Sequence, residues 1–192
     1  MQNLPCEIYH AKIAAIKKPR YFNMSEKSEL VGLSLARAGV VAGIYFTLTT
    51  ALSPISFGFI QFRLSECLCV LPMIFPETAV GLTVGCFLSN ILYSTPLDAL
   101  FGTIATAISS LLTFAAAMFI KKRKLSFFLG CLSPTIFNGL LVPIAFLIET
   151  FSWEAYFAAA VNIALCEAAS VYVFGGVLYY LIERYIKKHT VK

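Results

Sequence analysis

Four stretches of this chain run uncharged for the length that a membrane demands: residues 38–62, 78–97, 99–120 and 125–148. A helix needs about 20 predominantly apolar residues to cross the hydrocarbon core. Inside that core every backbone N–H and C=O must be paired within the protein. A fifth run, 155–182, is interrupted only by Glu167. These runs are dense in Leu, Ile, Ala and Phe and lack the alternation of a transmembrane barrel strand, so helices fit and strands do not. Composition agrees with an all-α membrane protein: 59% of the residues are hydrophobic and 13% charged, far from the balance of a soluble domain.

Charge decides how many times the chain crosses. Basic residues cluster before the first run (Lys12, Lys17, Lys18, Arg20, Lys27), at Lys121, Lys122, Arg123 and Lys124, and at Arg184, Lys187, Lys188 and Lys192. The positive-inside rule places all three clusters in the cytoplasm. If residues 64–92 formed one span, the middle cluster would face outward. Two spans restore the parity, joined by a cytoplasmic turn at Phe75, Pro76 and Glu77, where proline cannot continue a helix. The difficulty is length, because about 29 residues rise only ~43 Å as α-helix. The two spans must therefore be short, tilted or shielded by neighbours, an arrangement tolerated where backbone lines a cavity or is buried in protein. A site is expected there.

The resulting expectation is a bundle of six transmembrane helices over roughly 33–52, 64–75, 77–92, 97–120, 125–148 and 155–182. They occupy one domain, residues 31–185, between a polar, basic cytoplasmic tail at 1–30 and a basic cytoplasmic tail at 186–192. Within the first tail, residues 7–18 read as a short interfacial helix or as a solvated segment, and Met24, ahead of Ser-Glu-Lys, is an alternative start. The apolar run at 31–52 is too long for a signal peptide and no clear small-x-small site follows it, so it is expected to stay as the first span. The fourth span opens on Thr95, Pro96, Leu97 and Asp98, a cap, a proline at the first helical position and an acid in the first turn.

Several function classes fall away. The net charge of +5 sits at the ends and in one loop rather than on a patch that would grip nucleic acid. Both histidines, His10 and His189, lie in the tails, so neither a Ser-His pair nor a metal cluster is available within the membrane. No G-x-x-x-x-G-K loop is present, and any ATP-driven step needs another subunit. Cys67, Cys69, Cys86, Cys131 and Cys166 lie in apolar segments without a C-x-x-C pair and read as small hydrophobes. No cofactor is implied.

What remains is a set of polar residues in or beside the spans: Gln61, Arg63, Glu66, Asn90, Asn138 and Glu167. Glu167 is the most informative, since an ionised carboxylate at mid-span costs at least ~2.5 kcal/mol on insertion scales and must face a cavity, a partner or a ligand. Arg63 and Glu66, three apart, fit an ion pair on one helical face. Asn90 and Asn138 fit ligand contacts or helix-to-helix hydrogen bonds equally well. The segment from Pro54 to Arg63 is apolar and rich in phenylalanine, which fits a lid folded over a pocket or a loop facing lipid. Ala38 and Ala42, with Gly39 and Gly43 beside them, give the first span a small-residue face for another helix.

The run Pro54-Ile-Ser-Phe-Gly-Phe-Ile-Gln-Phe-Arg-Leu-Ser-Glu66, then Leu71-Pro72 and Gly81-Leu-Thr-Val-Gly85-Cys-Phe-Leu-Ser-Asn90, closely resembles the QueT family of queuosine-precursor transporters. Ser133-Pro-Thr-Ile-Phe-Asn138 and Ala164-Leu-Cys-Glu167 resemble that family's fifth and sixth helices, so the likeness covers about residues 33–183. It implies the substrate-binding S component of an energy-coupling factor (ECF) transporter, with a partner transmembrane T subunit and two cytoplasmic ATPases. Such first-helix faces as Ala38-x-x-x-Ala42 contact the partner in other S components. The implied ligand is a 7-deazaguanine, either the 7-cyano or 7-aminomethyl base, or queuine.

A guanine-like edge presents an N1 proton beside an exocyclic amine, which one carboxylate accepts together, while its O6 needs a donor. Glu66 and Glu167 are the candidate acceptors, and Arg63, Asn90 and Asn138 the candidate donors. Phe57, Phe62 and Trp153 are candidates to stack on the flat ring, Trp153 fitting an interfacial position as well. Gln61 completes the expected binding set. Which carboxylate reads the base, and which attracts an aminomethyl cation, stays open. The alternatives are a transporter of another purine or vitamin-like compound on the same architecture, an intramembrane enzyme using Glu66 and Glu167 as acid and base, and a purely structural membrane subunit.

Overall fold

The computed structural model describes residues 24–57 and 61–190. The segment expected at 7–18, His10, the basic residues before Met24, Lys192 and the centre of the Pro54–Arg63 loop lie outside the described residues. In chain order the elements are α1 (Met24–Ala51), the single turn α2 (Ser53–Ser56), a 3-10 helix (Leu64–Met73), α3 (Thr78–Tyr93), α4 (Pro96–Phe119), α5 (Arg123–Leu141), α6 (Ile144–Thr150), α7 (Trp153–Ala168), a π-helical segment (Ala169–Gly175) and α8 (Gly176–Thr190). Among the described residues there is no strand. The chain is an all-α membrane bundle. Four helical stretches, 28–51, 96–119, 123–141 and 153–189, are long and apolar enough to cross a membrane, and the 3-10 helix and α3 are the shorter apolar pair.

That short pair answers the length difficulty between residues 64 and 92. The turn falls at Ile74–Glu77, as the proline requires, and the segment before it is 3-10 rather than α. Ten residues at about 2.0 Å each reach about 20 Å, against about 15 Å as α-helix. Runs of 3-10 helix beyond three or four residues are uncommon, and this one survives by burial: Leu68, Cys69, Val70, Leu71 and Met73 are all core residues. Val41, Tyr45, Leu68, Leu71 and Leu82 form one cluster, and Val70, Met73, Cys131, Val171 and Tyr179 the other. The 3-10 helix is the axle that both share.

From Ala38 to Ala51, α1 carries no charge, as a membrane-spanning helix requires. Only the stripe Ala38, Val41, Tyr45 and Thr49 is buried, while Leu35, Val40 and Ile44 are exposed. The close approach expected of Ala38 and Ala42 is made within this chain. A Cβ added to Gly81 would lie 2.2 Å from the Ala38 carbonyl oxygen, and one added to Gly85 would lie 2.9 Å from that of Ala42. Small residues let helix backbones meet where lipid supplies no hydrophobic drive.

α4 and α5 join through a hydroxyl seam. Pro134 removes the N–H that would bond the Gly130 carbonyl, and hydroxyls replace it: Thr113 and Ser133 each donate to Gly130 O at 2.9 Å. Ser126 adds a bond to Ala116 O at 3.0 Å. At the start of α4 the expected cap is present, Asp98 N donating to Thr95 Oγ1 at 3.2 Å while Ser94 donates to the Asp98 carboxylate.

Three boundaries differ from expectation. The first helix begins at Met24 rather than near 33, and the last runs to Thr190 rather than 182. A single helix over 125–148 is broken at Val142-Pro143 into α5 and α6, because Pro143 has no N–H for a continuing helix and its ring clashes with the preceding turn. At the other end of the bundle, Arg37 pairs with Glu77 at 2.9 Å, tying α1 to the 74–77 turn. Arg123 pairs with Glu183 and lies 5.9 Å over the Tyr179 ring, tying the α4–α5 loop to α8.

Candidate functional site

Glu66 sits in the first turn of the 3-10 helix, 1% exposed. Its carboxylate accepts from the Tyr45 hydroxyl on α1 and from Cys69 Sγ at 2.9 Å. The ion pair expected between Arg63 and Glu66 is absent. Arg63 is the extended residue before the helix, with φ −105° and ψ 102°, so the two side chains do not share a helical face. The guanidinium instead lies 5.0 Å over the Phe57 ring, a cation–π contact that its buried position strengthens. Its Nη1 stands 3.8 Å from the place a Cβ on Gly102 would take, and Asn90 Nδ2 stands 2.7 Å from that place. A side chain at Gly102 would collide with the Asn90 amide.

Asn90 on α3 is fully buried and donates through Nδ2 to Cys86 Sγ at 3.2 Å, where Thr106 also donates. Its Oδ1 has no partner. Asn138 on α5 donates to Glu167 Oε1 at 3.0 Å, while the second oxygen, Oε2, is buried without one. Glu167 lies at the end of α7, directly before the π-helical segment, and Ser170 one turn on is buried with its hydroxyl unmatched. Such π-helical insertions re-aim side chains and are frequent at functional sites. Arg63, Glu66 and Glu167 are near enough to act electrostatically on one another.

Of the expected set, Arg63, Glu66, Asn90, Asn138 and Glu167 are all buried, contributed by the 3-10 helix and its approach, α3, α5 and α7. Phe57 stacks on Tyr93 at 5.9 Å and touches Arg63. Phe62 meets Phe174 edge-on at 6.3 Å, and Gln61 turns the chain with a φ of 50°. Phe62 N bonds Ile55 O at 3.1 Å, and Ser56 and Arg63 are both buried. Trp153 is 63% exposed and packs on Tyr156 and Phe157, away from these residues and in the manner of an interfacial aromatic.

Tyr45, Thr106 and Gly102 went unnoticed in the sequence, and Cys69 and Cys86 read only as small hydrophobes. Tyr45 carried a usable signal: it lies on the Ala38–Val41 stripe, and a buried tyrosine hydroxyl almost always finds a partner. Replacing it with phenylalanine leaves a buried carboxylate oxygen short of a donor, a loss of about 1–3 kcal/mol. The thermal unfolding midpoint of Tyr45→Phe in detergent should fall accordingly, and an unchanged midpoint would mean the hydroxyl is dispensable to Glu66.

Two carboxylates, one guanidinium and two side-chain amides offer buried acceptors and donors. Natural structures leave few buried polar groups unpaired, and Asn90 Oδ1 and Glu167 Oε2 are two that have no partner here. Among the described residues no group of His, Cys, Asp or Glu is arranged to hold a metal ion.

The QueT transporter family profile matches residues 35–184. The chain belongs to that family. Relatives include the queuosine precursor transporter QueT of Lactococcus lactis subsp. cremoris (strain MG1363), 33% identical over 100 residues. That alignment takes in 51% of this chain and 58% of the relative. No solved structure matches this QueT-family chain. The matched region runs from α1 through the start of α8 and so contains every buried residue of the candidate site.

Proposed function

We propose that this chain is the substrate-capturing S component of an ECF uptake transporter and that its cargo is a queuosine precursor, a 7-deazaguanine base. The observation that carries this reading is the Asn138–Glu167 pair, with one carboxylate oxygen held by the amide and the other buried and open. A carboxylate so presented accepts the N1 proton and exocyclic amine of a guanine-like edge. Arg63 and Asn90 supply donors for the O6 side, and Phe57 and Phe62 supply ring faces. Membership of the QueT family and the name of the Lactococcus relative support the same cargo.

In this reading the chain makes six crossings, with both ends and all three basic clusters on the cytoplasmic side. A T subunit and two ATPases reorient it, and the chain itself makes or breaks no covalent bond. The polar tail at 1–30, the transmembrane domain at 31–185 and the basic tail at 186–192 divide it. The outer loop of residues 53–63 is the candidate gate, a two-state element whose closure the ligand favours.

Calorimetry on the purified protein with 7-cyano-7-deazaguanine, 7-aminomethyl-7-deazaguanine, queuine and guanine tests the assignment. Saturable binding of a deazaguanine in preference to guanine is expected. Preference for guanine would transfer the protein to another purine, and no binding by any of the four would remove the cargo class.

A further inference from the structure

A second feature lies on the outside of the bundle. Between α4 and α5 runs a crevice of about 380 Å³, its walls including Leu112, Ala116, Phe119, Leu129 and Ile136. It opens outward, since Leu112, Phe119, Leu129 and Ile136 are all exposed. Ala115 and Ala116 leave it hollow where larger residues would close it. Its one polar lining residue, Ser133, has its hydroxyl engaged with Ser109 O and Gly130 O at 2.9 Å each, so the crevice offers a solute nothing to bond. Its natural content is hydrocarbon.

The mouth of the crevice is a different environment. Ile120 lines it, and the chain continues directly into Lys121, Lys122, Arg123 and Lys124. Arg123 is committed to Glu183, whereas Lys121, Lys122 and Lys124 are exposed and make no ion pair among the described residues. Between Asp98 and Glu149 the chain contains no acidic residue, so neither helix supplies a counter-charge to these lysines.

From this juxtaposition we infer that the α4–α5 crevice is a binding site for an anionic phospholipid, one acyl chain filling the crevice and the phosphate headgroup resting on Lys121, Lys122 and Lys124. A concave apolar slot explains the chain's residence, and basic side chains at its end select the headgroup. Three lysines at the headgroup give a preference for anionic lipid of about 100-fold at low salt. Salt screens that preference. Nothing in it depends on which solute the protein carries.

The test is native mass spectrometry of the detergent-solubilised full chain, offered equal amounts of phosphatidylglycerol and phosphatidylcholine. Phosphatidylglycerol should be retained at least tenfold over phosphatidylcholine, and the triple variant Lys121→Ala/Lys122→Ala/Lys124→Ala should retain both alike. Ala115→Phe, which fills the crevice and leaves the lysines intact, should retain neither. Equal retention by the parent protein, or a preference that survives in both variants, overturns the proposal. A second measurement needs no variant: phosphatidylglycerol should raise the melting midpoint of the parent protein more than phosphatidylcholine does, and equal midpoints overturn the proposal as surely.

Discussion

Glu167→Gln should weaken binding of the preferred deazaguanine by about 10- to 100-fold, while the ligand-free protein inserts and melts as before. The two halves of that result come from the same geometry. Glutamine keeps a carbonyl oxygen that can accept from Asn138 Nδ2, where Glu167 Oε1 now accepts at 3.0 Å. It turns an N–H₂ toward the position of Oε2, which has no partner in the protein. Against a ligand edge made of donors, a donor then replaces an acceptor. A hydrogen bond to a charged group contributes about 1.5–3 kcal/mol, which sets the expected loss through the tenfold step of about 1.4 kcal/mol. Removing an ionisable group from mid-span costs insertion nothing. Calorimetry of ligand binding, paired with a melting curve of the free protein, checks both halves. A Kd within twofold of the parent would strip Glu167 of its assigned role, and a lowered midpoint with intact binding would make it a structural partner of Asn138 only.

Gly81→Ala should be among the most damaging single-methyl substitutions in the chain. The added Cβ would stand 2.2 Å from the Ala38 carbonyl oxygen and 3.0 Å from its carbon. Both are backbone atoms, so no side-chain rotation relieves the contact and α1 must move away from α3. That movement also displaces Tyr45, seven residues on, and with it the hydroxyl that holds Glu66. Overpacking of this kind costs about 1–3 kcal/mol. The matched control is Gly39→Ala, where an added Cβ meets nothing within 4 Å and helix propensity favours alanine by up to about 1 kcal/mol. Melting midpoints in detergent should therefore separate the two variants in opposite directions. Equal midpoints would show that α1 and α3 do not pack through Gly81.

The structure also explains where reading the chain stopped short. Pro143 splits the segment expected at 125–148 because proline acts through its missing N–H and its ring, and uncharged length alone does not register either. The Arg63–Glu66 spacing fitted an ion pair only on the premise that both residues were helical. The residue before the 3-10 helix is extended, and its guanidinium points toward Phe57 and Asn90 instead. Cys86 read as a small hydrophobe, and it is one, yet its sulfur also collects hydrogen bonds from Asn90 and Thr106. A weak acceptor of that kind has no sequence signature.

The features legible in the chain alone were those governed by one-dimensional physics. Uncharged length specified a helical membrane protein, because lipid admits no unpaired backbone. Proline at 76 placed the turn between the second and third segments, because it cannot extend the helix before it. Glu167 stood out through the energetic cost of its position. Tertiary structure decided everything that depends on which side chains meet across helices: the 3-10 form of residues 64–73, the joining of Tyr45 to Glu66 and of Asn138 to Glu167, the vacancy of Oε2, and the place of Gly102 beside Asn90 and Arg63. Those contacts join residues 12 to 39 positions apart, a distance at which spacing along the chain carries no information about which faces turn toward each other.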